Sequence, residues 1–425
     1  MQNLAQAQTR QGAEVAIAAP GPANQQYSVD GLEVHRYQSG VDIDLREIYG
    51  ERDPIAANAF LQVLERTRPD LVHLHAFTTG ISVQVARLAK RTGSPVVFTY
   101  HTPTVSCQRR TLLRWGTELC HGRMDVRMCA ACFLQSQGLK RGVAGLVSRT
   151  PPAVGRTIGN AGLSGGLWTM LRMTELVTLR HQAARNFMEE VDQIISLCSW
   201  STEVLLENGV PGEKILLCRH GVIPGEVTAK APRHFRNPQE PCRIVFLGRV
   251  DPVKGLDVLI RAITGDPDLA VMLDIYGVTQ GWEAYREQLQ KLCDSRIRFR
   301  DPVSAQRIVE ELSHYDVLAV PSQGLETGPL VILEAFAAGI PVIGSDLGGI
   351  RELVRQEIDG ILVEPGSVTA WTAALRRLTR EPDLLPRLQN GVKPPRTMDT
   401  VATDMLSLYE HLLSRTPRPV LSGSC

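Results

Sequence analysis

From residue 243 onward, short runs rich in Val, Ile and Leu alternate with stretches of helical period. The apolar runs at 243–247, 270–276, 297–300, 317–321, 341–344 and 361–363 read as strands. The stretches at 256–263, 283–292, 305–312, 350–356 and 368–378 read as helices. Strands that are apolar throughout are buried on both faces, which predicts a parallel sheet covered by helices on each side. The first half repeats this pattern less regularly. Strands are expected at 14–19, 71–75, 96–100, 193–198 and 214–218, with helices at 3–11, 56–68, 82–91, 174–190 and 202–207. The fold class expected is α/β, with two doubly wound, Rossmann-like domains.

Residues 222–241 are rich in Pro, Gly and charge without period and read as a linker. The domains expected are therefore 1–221 and 242–395. A final segment, 396–425, would carry a helix at 399–413 crossing back onto the first domain. Residues 102–190 read as a helical insertion. A chain of 425 residues is too long for one ordinary core and suits two domains of roughly 200 residues. Ligands of open α/β sheets bind beyond the carboxyl ends of the strands, so two such domains facing each other predict a ligand in a cleft.

Composition narrows the partners. A net charge of +1 with 21% charged residues supplies no global field, so no nucleic-acid partner is expected. Residues 1–10 are polar rather than an apolar signal segment, and nine cysteines in such a chain read as reduced thiols, which predicts a cytoplasmic protein. The longest apolar region, 328–344, is interrupted by Glu334, Gly339 and Pro341 and reads as a buried helix followed by a buried strand, not a membrane span.

That region carries the candidate chemistry. Pro329 suits a first helical turn, Thr327 is a candidate cap, and Gly339 with Pro341 marks a stop, so a helix is expected over 329–338. Glu326 precedes it, and Glu334 lies one turn in, on the face of Leu330. Backbone N–H groups at Gly328, Leu330 and Val331 would present a positive dipole end to a phosphate. Arg249 and Lys254 follow the 243–247 strand, with Gly248 and Gly255 permitting close backbone approach. An Arg fork and a Lys point charge suit a departing diphosphate. Two basic residues alone are more often a solvated loop pair. Their place before a helix, in the domain of the paired glutamates, favours the site.

The segment 321–353, with Glu326 and Glu334 eight positions apart, resembles the E-x7-E signature of retaining GT-B glycosyltransferases of family four. The Gly-Arg-x-Asp-x-x-Lys-Gly stretch at 248–255 is similar to that family's diphosphate motif. Residues 99–102 and 197–222 also resemble family segments. The resemblance implies transfer of a sugar, with retention, from a nucleotide-diphosphate donor held mainly by the second domain, without a metal. It implies that Glu334 takes ribose hydroxyls and Glu326 sugar hydroxyls, and that Arg249 and Lys254 neutralise the diphosphate, helped by the amides of Gly328 and Leu330. Gly248, Thr327 and Pro329 complete the expected donor set. His101 corresponds to a position aimed at the reaction centre. His75, at another strand end, joins it as an acceptor-side candidate, although strand-end histidines are commonly structural. The acceptor itself, whether glycan, lipid or small molecule, is not legible.

The insertion holds Cys107, Cys120, Cys129 and Cys132. Four thiolates at that density can hold one tetrahedral zinc ion, with His121 as a competing ligand, or an iron–sulfur cluster; plain reduced thiols are the simpler reading. Residues 102–190 also carry twelve Lys/Arg against five Asp/Glu, with apolar Trp168, Met170 and Leu171. This face is open to three readings: peripheral contact with the inner membrane face, an anionic acceptor, or an ordinary solvated surface.

One departure from the family pattern is expected to matter. The family's first strand and its glycine-rich loop should precede a helix like 3–11, with 13–19 then the second strand. The first strand of the N-terminal domain is thus expected to be missing, which makes a truncated nucleotide-sugar-binding protein without turnover one alternative to transfer. A sugar-nucleotide epimerase or hydrolase on the same scaffold is another, admitted by the diphosphate-binding residues alone and opposed by the extended E-x7-E match.

Overall fold

The computed structural model describes residues 1–40, 44–50, 53–223 and 240–415. Most of the expected linker, residues 224–239, lies outside the described residues. The chain divides into two compact units, residues 1–218 with 402–425, and residues 219–401.

The second unit is built on a six-stranded parallel sheet. Its strands are β10 (Cys242–Arg249), β11 (Val271–Val278), β12 (Ile297–Arg300), β13 (Val317–Val320), β14 (Val342–Ser345) and β15 (Gly360–Val363), in the order β12-β11-β10-β13-β14-β15. Alternation along the inner strands explains the two covering layers. Ile244 and Phe246 of β10 point into one core with Leu256, Leu259, Trp371 and Leu375, from α11 (Leu256–Thr264) and α16 (Val368–Arg380). Val245, with Leu318 and Val320 of β13, enters the other core with Ile332, Phe336 and Ile350, from α14 (Leu330–Ala337) and α15 (Gly348–Leu353). Each large side chain so buried contributes about 1.5–3 kcal/mol. Truncating Ile332, which is fully buried, to Ala would cost about 2–5 kcal/mol. The remaining helices here are α12 (Glu283–Gln290), α13 (Ile308–Leu312) and α17 (Leu384–Gly391).

The first unit holds a four-stranded parallel sheet, β4-β5-β8-β9, made of Val72–Leu74, Val96–Tyr100, Gln193–Ser196 and Ile215–Leu217. A separate three-stranded sheet, β1-β3-β2, consists of Ala16–Gly21, Gln25–Val29 and Leu32–Gln38, with β1 parallel and β2 antiparallel to β3. The pattern of the first half predicts only the first of these three strands. Helices α1 (Gln2–Arg10), α2 (Leu45–Tyr49), α3 (Pro54–Thr67), α4 (Val83–Arg91) and α10 (Ser199–Glu207) accompany the sheets.

The insertion contains a two-stranded ribbon, β6 (Leu113–Arg114) and β7 (Glu118–Leu119), and helices α5 (Val126–Ser136), α6 (Arg141–Val147), α7 (Pro152–Asn160) and α8 (Gly166–Leu171). These pack toward α9 (Met173–Glu190), where Ala130, Leu134, Ala144, Leu176 and Val177 share a small core. The last helix, α18, runs over Met398–Arg415, and from Ala402 its residues group with the first unit.

Candidate active site

In the second unit the strand order runs outward in both directions from β10 and β13, so the crossovers from these two adjacent strands go to opposite faces. Such a switch point leaves a crevice at the carboxyl ends of the strands. The turn after β10 carries Lys254 and the turn after β13 carries Glu326. Lys254 Nζ donates to Glu326 Oε2 at 2.7 Å, with both side chains half-buried. Ser322 Oγ donates to the other carboxylate oxygen of Glu326. The Gly349 amide donates to the Glu326 carbonyl at 2.8 Å, and the Gln323 amide to the Val253 carbonyl at 2.7 Å. Both turns are thus tied to each other and to the start of α15. Close approach depends on Gly255, which has φ +66 and faces the Pro321 carbonyl so tightly that a Cβ would run into the oxygen.

Arg249 ends β10 and is mostly exposed, 3.3 Å from Asp251 Oδ2. Asp251 is itself buried, and among the described residues its second oxygen has no hydrogen-bond partner. Gly248, in register with Gly277 of β11, precedes Arg249. Thr327, Gly328 and Pro329 form the entry to α14, Leu330 is its first residue and is exposed, and Glu334 follows one turn on. Thr327 does not cap this helix. Pro329 holds the capping position without a side-chain cap bond, because Gly328 at φ +122 redirects the chain between Thr327 and the first free amides.

The first unit gathers a different set. His75 Nδ1 and His101 Nε2 lie 3.0 Å apart, at hydrogen-bond distance. The His73 ring stacks on His75 with centroids 4.2 Å apart. His73 Nε2 meets Thr99 Oγ1 at 2.7 Å, and its Nδ1 meets the Tyr409 hydroxyl of α18 at 2.5 Å. Burial, and then the neighbouring His101, push the His73 pKa down to about 3. His73, Tyr409, Ser322 and Asp251 are absent from the residues expected on sequence grounds. Ser322 and Asp251 sit inside the two motifs, whereas the approach of Tyr409 to His73 has no local signal in the sequence.

Cys107, Cys120, Cys129 and Cys132 all line one cavity in the insertion. Burial raises the thiol pKa of Cys120, and that of Cys129 to about 12. Among the described residues no three His, Cys, Asp or Glu side chains are already disposed as a metal-holding group, and no helix is long and apolar enough to cross a membrane.

Comparison with known proteins defines the class first. The fold is that of GT-B glycosyltransferases. A sucrose-phosphate synthase from Thermosynechococcus elongatus superposes with a TM-score of 0.65 at 20% identity, over 97% of this chain and 92% of its own. Anabaena HepE, in complex with UDP, does so with a TM-score of 0.59 at 15% identity, over 90% and 87%. Residues 1–221 match the glycosyl transferase 4-like domain, and residues 241–381 match glycosyl transferases group 1. The chain belongs to this glycosyltransferase family and is a glycosyltransferase. A D-inositol 3-phosphate glycosyltransferase from Thermomonospora curvata is 27% identical over 90% of this chain and 81% of its own length. One from Corynebacterium glutamicum is 33% identical over 44% of this chain, and that match spans about half of the relative (47%).

Proposed function

We propose that this protein transfers a sugar, with retention of configuration and without a metal, from a nucleoside-diphosphate sugar to a hydroxyl acceptor. The observation that carries the reading is the Lys254–Glu326 pair at the switch point of the second unit. A carboxylate accepts hydrogen bonds from sugar hydroxyls, and the ammonium beside it offsets charge growing on a departing diphosphate. Arg249 adds a bidentate fork, and Gly248, Thr327, Gly328, Pro329 and Leu330 bring backbone toward the phosphates. Glu334 takes the ribose hydroxyls.

The acceptor oxygen attacks the anomeric carbon from the face the diphosphate leaves, through an oxocarbenium-like state. The carbon–oxygen bond to the diphosphate breaks, and a diphosphate oxygen receives the acceptor proton. His101, oriented by His75, serves the acceptor side of the reacting centre. Exposed apolar residues of the insertion, among them Leu146 and Leu167, and its excess of Lys/Arg suit contact with an anionic membrane surface. A cytoplasmic protein resting on the inner membrane face fits this reading.

A thermal-shift screen of nucleotide sugars identifies the donor, since a bound ligand raises apparent stability by mass action. Transfer is then assayed with that donor, D-inositol 3-phosphate being the first acceptor to try, with chelator present and the product anomer read by NMR. Transfer only with acceptor, unchanged by chelator and with retained configuration, is expected. Binding without turnover, or an inverted product, would overturn the reading.

A further inference from the structure

We propose that Cys107, Cys120, Cys129 and Cys132 form a tetrathiolate site for a single thiophilic divalent ion of the zinc class, pinning the insertion of the first unit. The site goes beyond sugar transfer and uses none of its residues. The thiols come from three separate pieces of chain: the loop after β5, the end of β7, and two successive turns of α5. All four nonetheless line one cavity.

The surroundings fit a tetrathiolate rather than a chance meeting of thiols. The Trp115 amide donates to Cys132 Sγ at 3.4 Å. Such an outer contact orients a thiolate ligand and spreads its charge. The cavity wall also carries Arg109, Arg114 and Arg123 and no carboxylate. Four thiols that bind a divalent ion release four protons to solvent and leave a net charge of minus two, with no electrons exchanged because zinc is redox-inert. Three guanidinium groups border that charge, with Arg114 also paired to Glu118 at 3.1 Å, Arg123 to Glu207 at 3.8 Å and Arg109 donating to the Gln135 side-chain oxygen at 2.7 Å.

The cavity, about 30 Å³, has room for a lone ion between the thiols. Such a pin would brace a strained stretch of chain. Of the six non-glycine residues with positive φ among the described residues, Arg110, Leu112 and Trp115 fall between Cys107 and Cys120. Such conformations persist only where the surroundings over-determine them. The ribon strands β6 and β7 have two residues each, too few to hold a hairpin in water. Since no three thiols are already arranged as ligands, loading turns the sulfurs inward on their Cα–Cβ bonds.

Full-length protein, reduced, stripped with chelator and titrated with cobalt(II), tests the site. About one cobalt per chain is expected, with thiolate-to-metal charge-transfer absorption and tetrahedral visible bands that zinc displaces. The C129S/C132S variant should lose these bands, and C198S, a cysteine outside the cavity, should keep them. Because the double variant can lose its fold, the unmutated protein provides a second readout. Zinc should protect all four cysteines from iodoacetamide relative to the stripped protein while leaving the labelling of Cys293 unchanged, as read by mass spectrometry. Stoichiometric cobalt without charge-transfer bands, absent protection, or two disulfides with no metal uptake after reduction would each overturn the proposal.

Discussion

Both units gather polar side chains near the carboxyl ends of parallel strands, but they gather opposite kinds. The second unit sets a half-buried ammonium against a carboxylate, Lys254 on Glu326. The first stacks His73, His75 and His101 and ties His73 to the hydroxyls of Thr99 and Tyr409. The ammonium and carboxylate of the second unit can exchange each other for a charged or hydroxyl-bearing ligand. In the first unit burial pushes the His73 pKa down to about 3, which suits an imidazole that hydrogen-bonds hydroxyls. The same scaffold position thus serves charge in one unit and neutral hydrogen bonding in the other.

The sharpest way to break this comparison is Glu326→Gln. It removes the charge while keeping the shape, and a loss of about 10³-fold in kcat is expected with nucleotide affinity largely retained. Near-normal turnover, measured by product formation at saturating donor, would sink the role of the pair. Lys254→Ala should cost about 10²-fold in kcat/KM and weaken nucleoside-diphosphate binding in calorimetry; unchanged binding would separate the lysine from the diphosphate.

In the histidine cluster, His101→Ala is expected to lower kcat by about 10²-fold. His75→Ala, acting through His101, should cost about tenfold and shift the pH profile of kcat, a change that mere loss of packing would not produce. Equal losses at both positions, or no shift in the profile, would remove the orienting role of His75. The smallest effect concerns stability. His73 is held far below its ordinary pKa in the folded state, so the unfolded chain binds the extra proton. Its contribution is complete above about pH 6.5 and fades as pH falls toward 3, by at most about 1.4 kcal/mol per pH unit. His181, lowered to about 4 by burial, adds to the same slope. In denaturant titrations between pH 7 and about pH 5, His73→Asn should flatten the dependence without abolishing it, and an unchanged slope would show that His73 does not carry the linkage.

The second unit was the more legible in sequence for a physical reason. Its strands are apolar on both faces, so strand 297–300 agrees to the residue and the other strands within a residue or two, whereas the helix expected at 350–356 ends three residues early and α17 has no counterpart in the expected pattern. The Lys254 and Glu326 motifs could be read because short turns fix them to strand ends. Their mutual ion pair could not be read, since it joins residues 72 positions apart. In the first unit the antiparallel strand Gln25–Val29 and its partner Leu32–Gln38 were overlooked, although Asp30 and Gly31, with φ of 51 and 78, form the Asp-Gly turn that most strongly signals a hairpin. The outer strand is exposed at every position, so no apolar alternation announced it. The short helices of the insertion were equally silent. α6 and α8 span seven and six residues, scarcely two turns, and periodicity needs a longer window.

Strand β10 belongs to two hydrophobic cores at once, with Ile244 and Phe246 in one and Val245 in the other. Neither layer can peel away without stripping one side of this strand, so its amides should be among the last in the unit to exchange with deuterated water. Gly248 and Arg249 terminate that strand. The cation assigned to the diphosphate therefore hangs from the slowest-opening part of its domain, and local breathing elsewhere leaves its anchor in place.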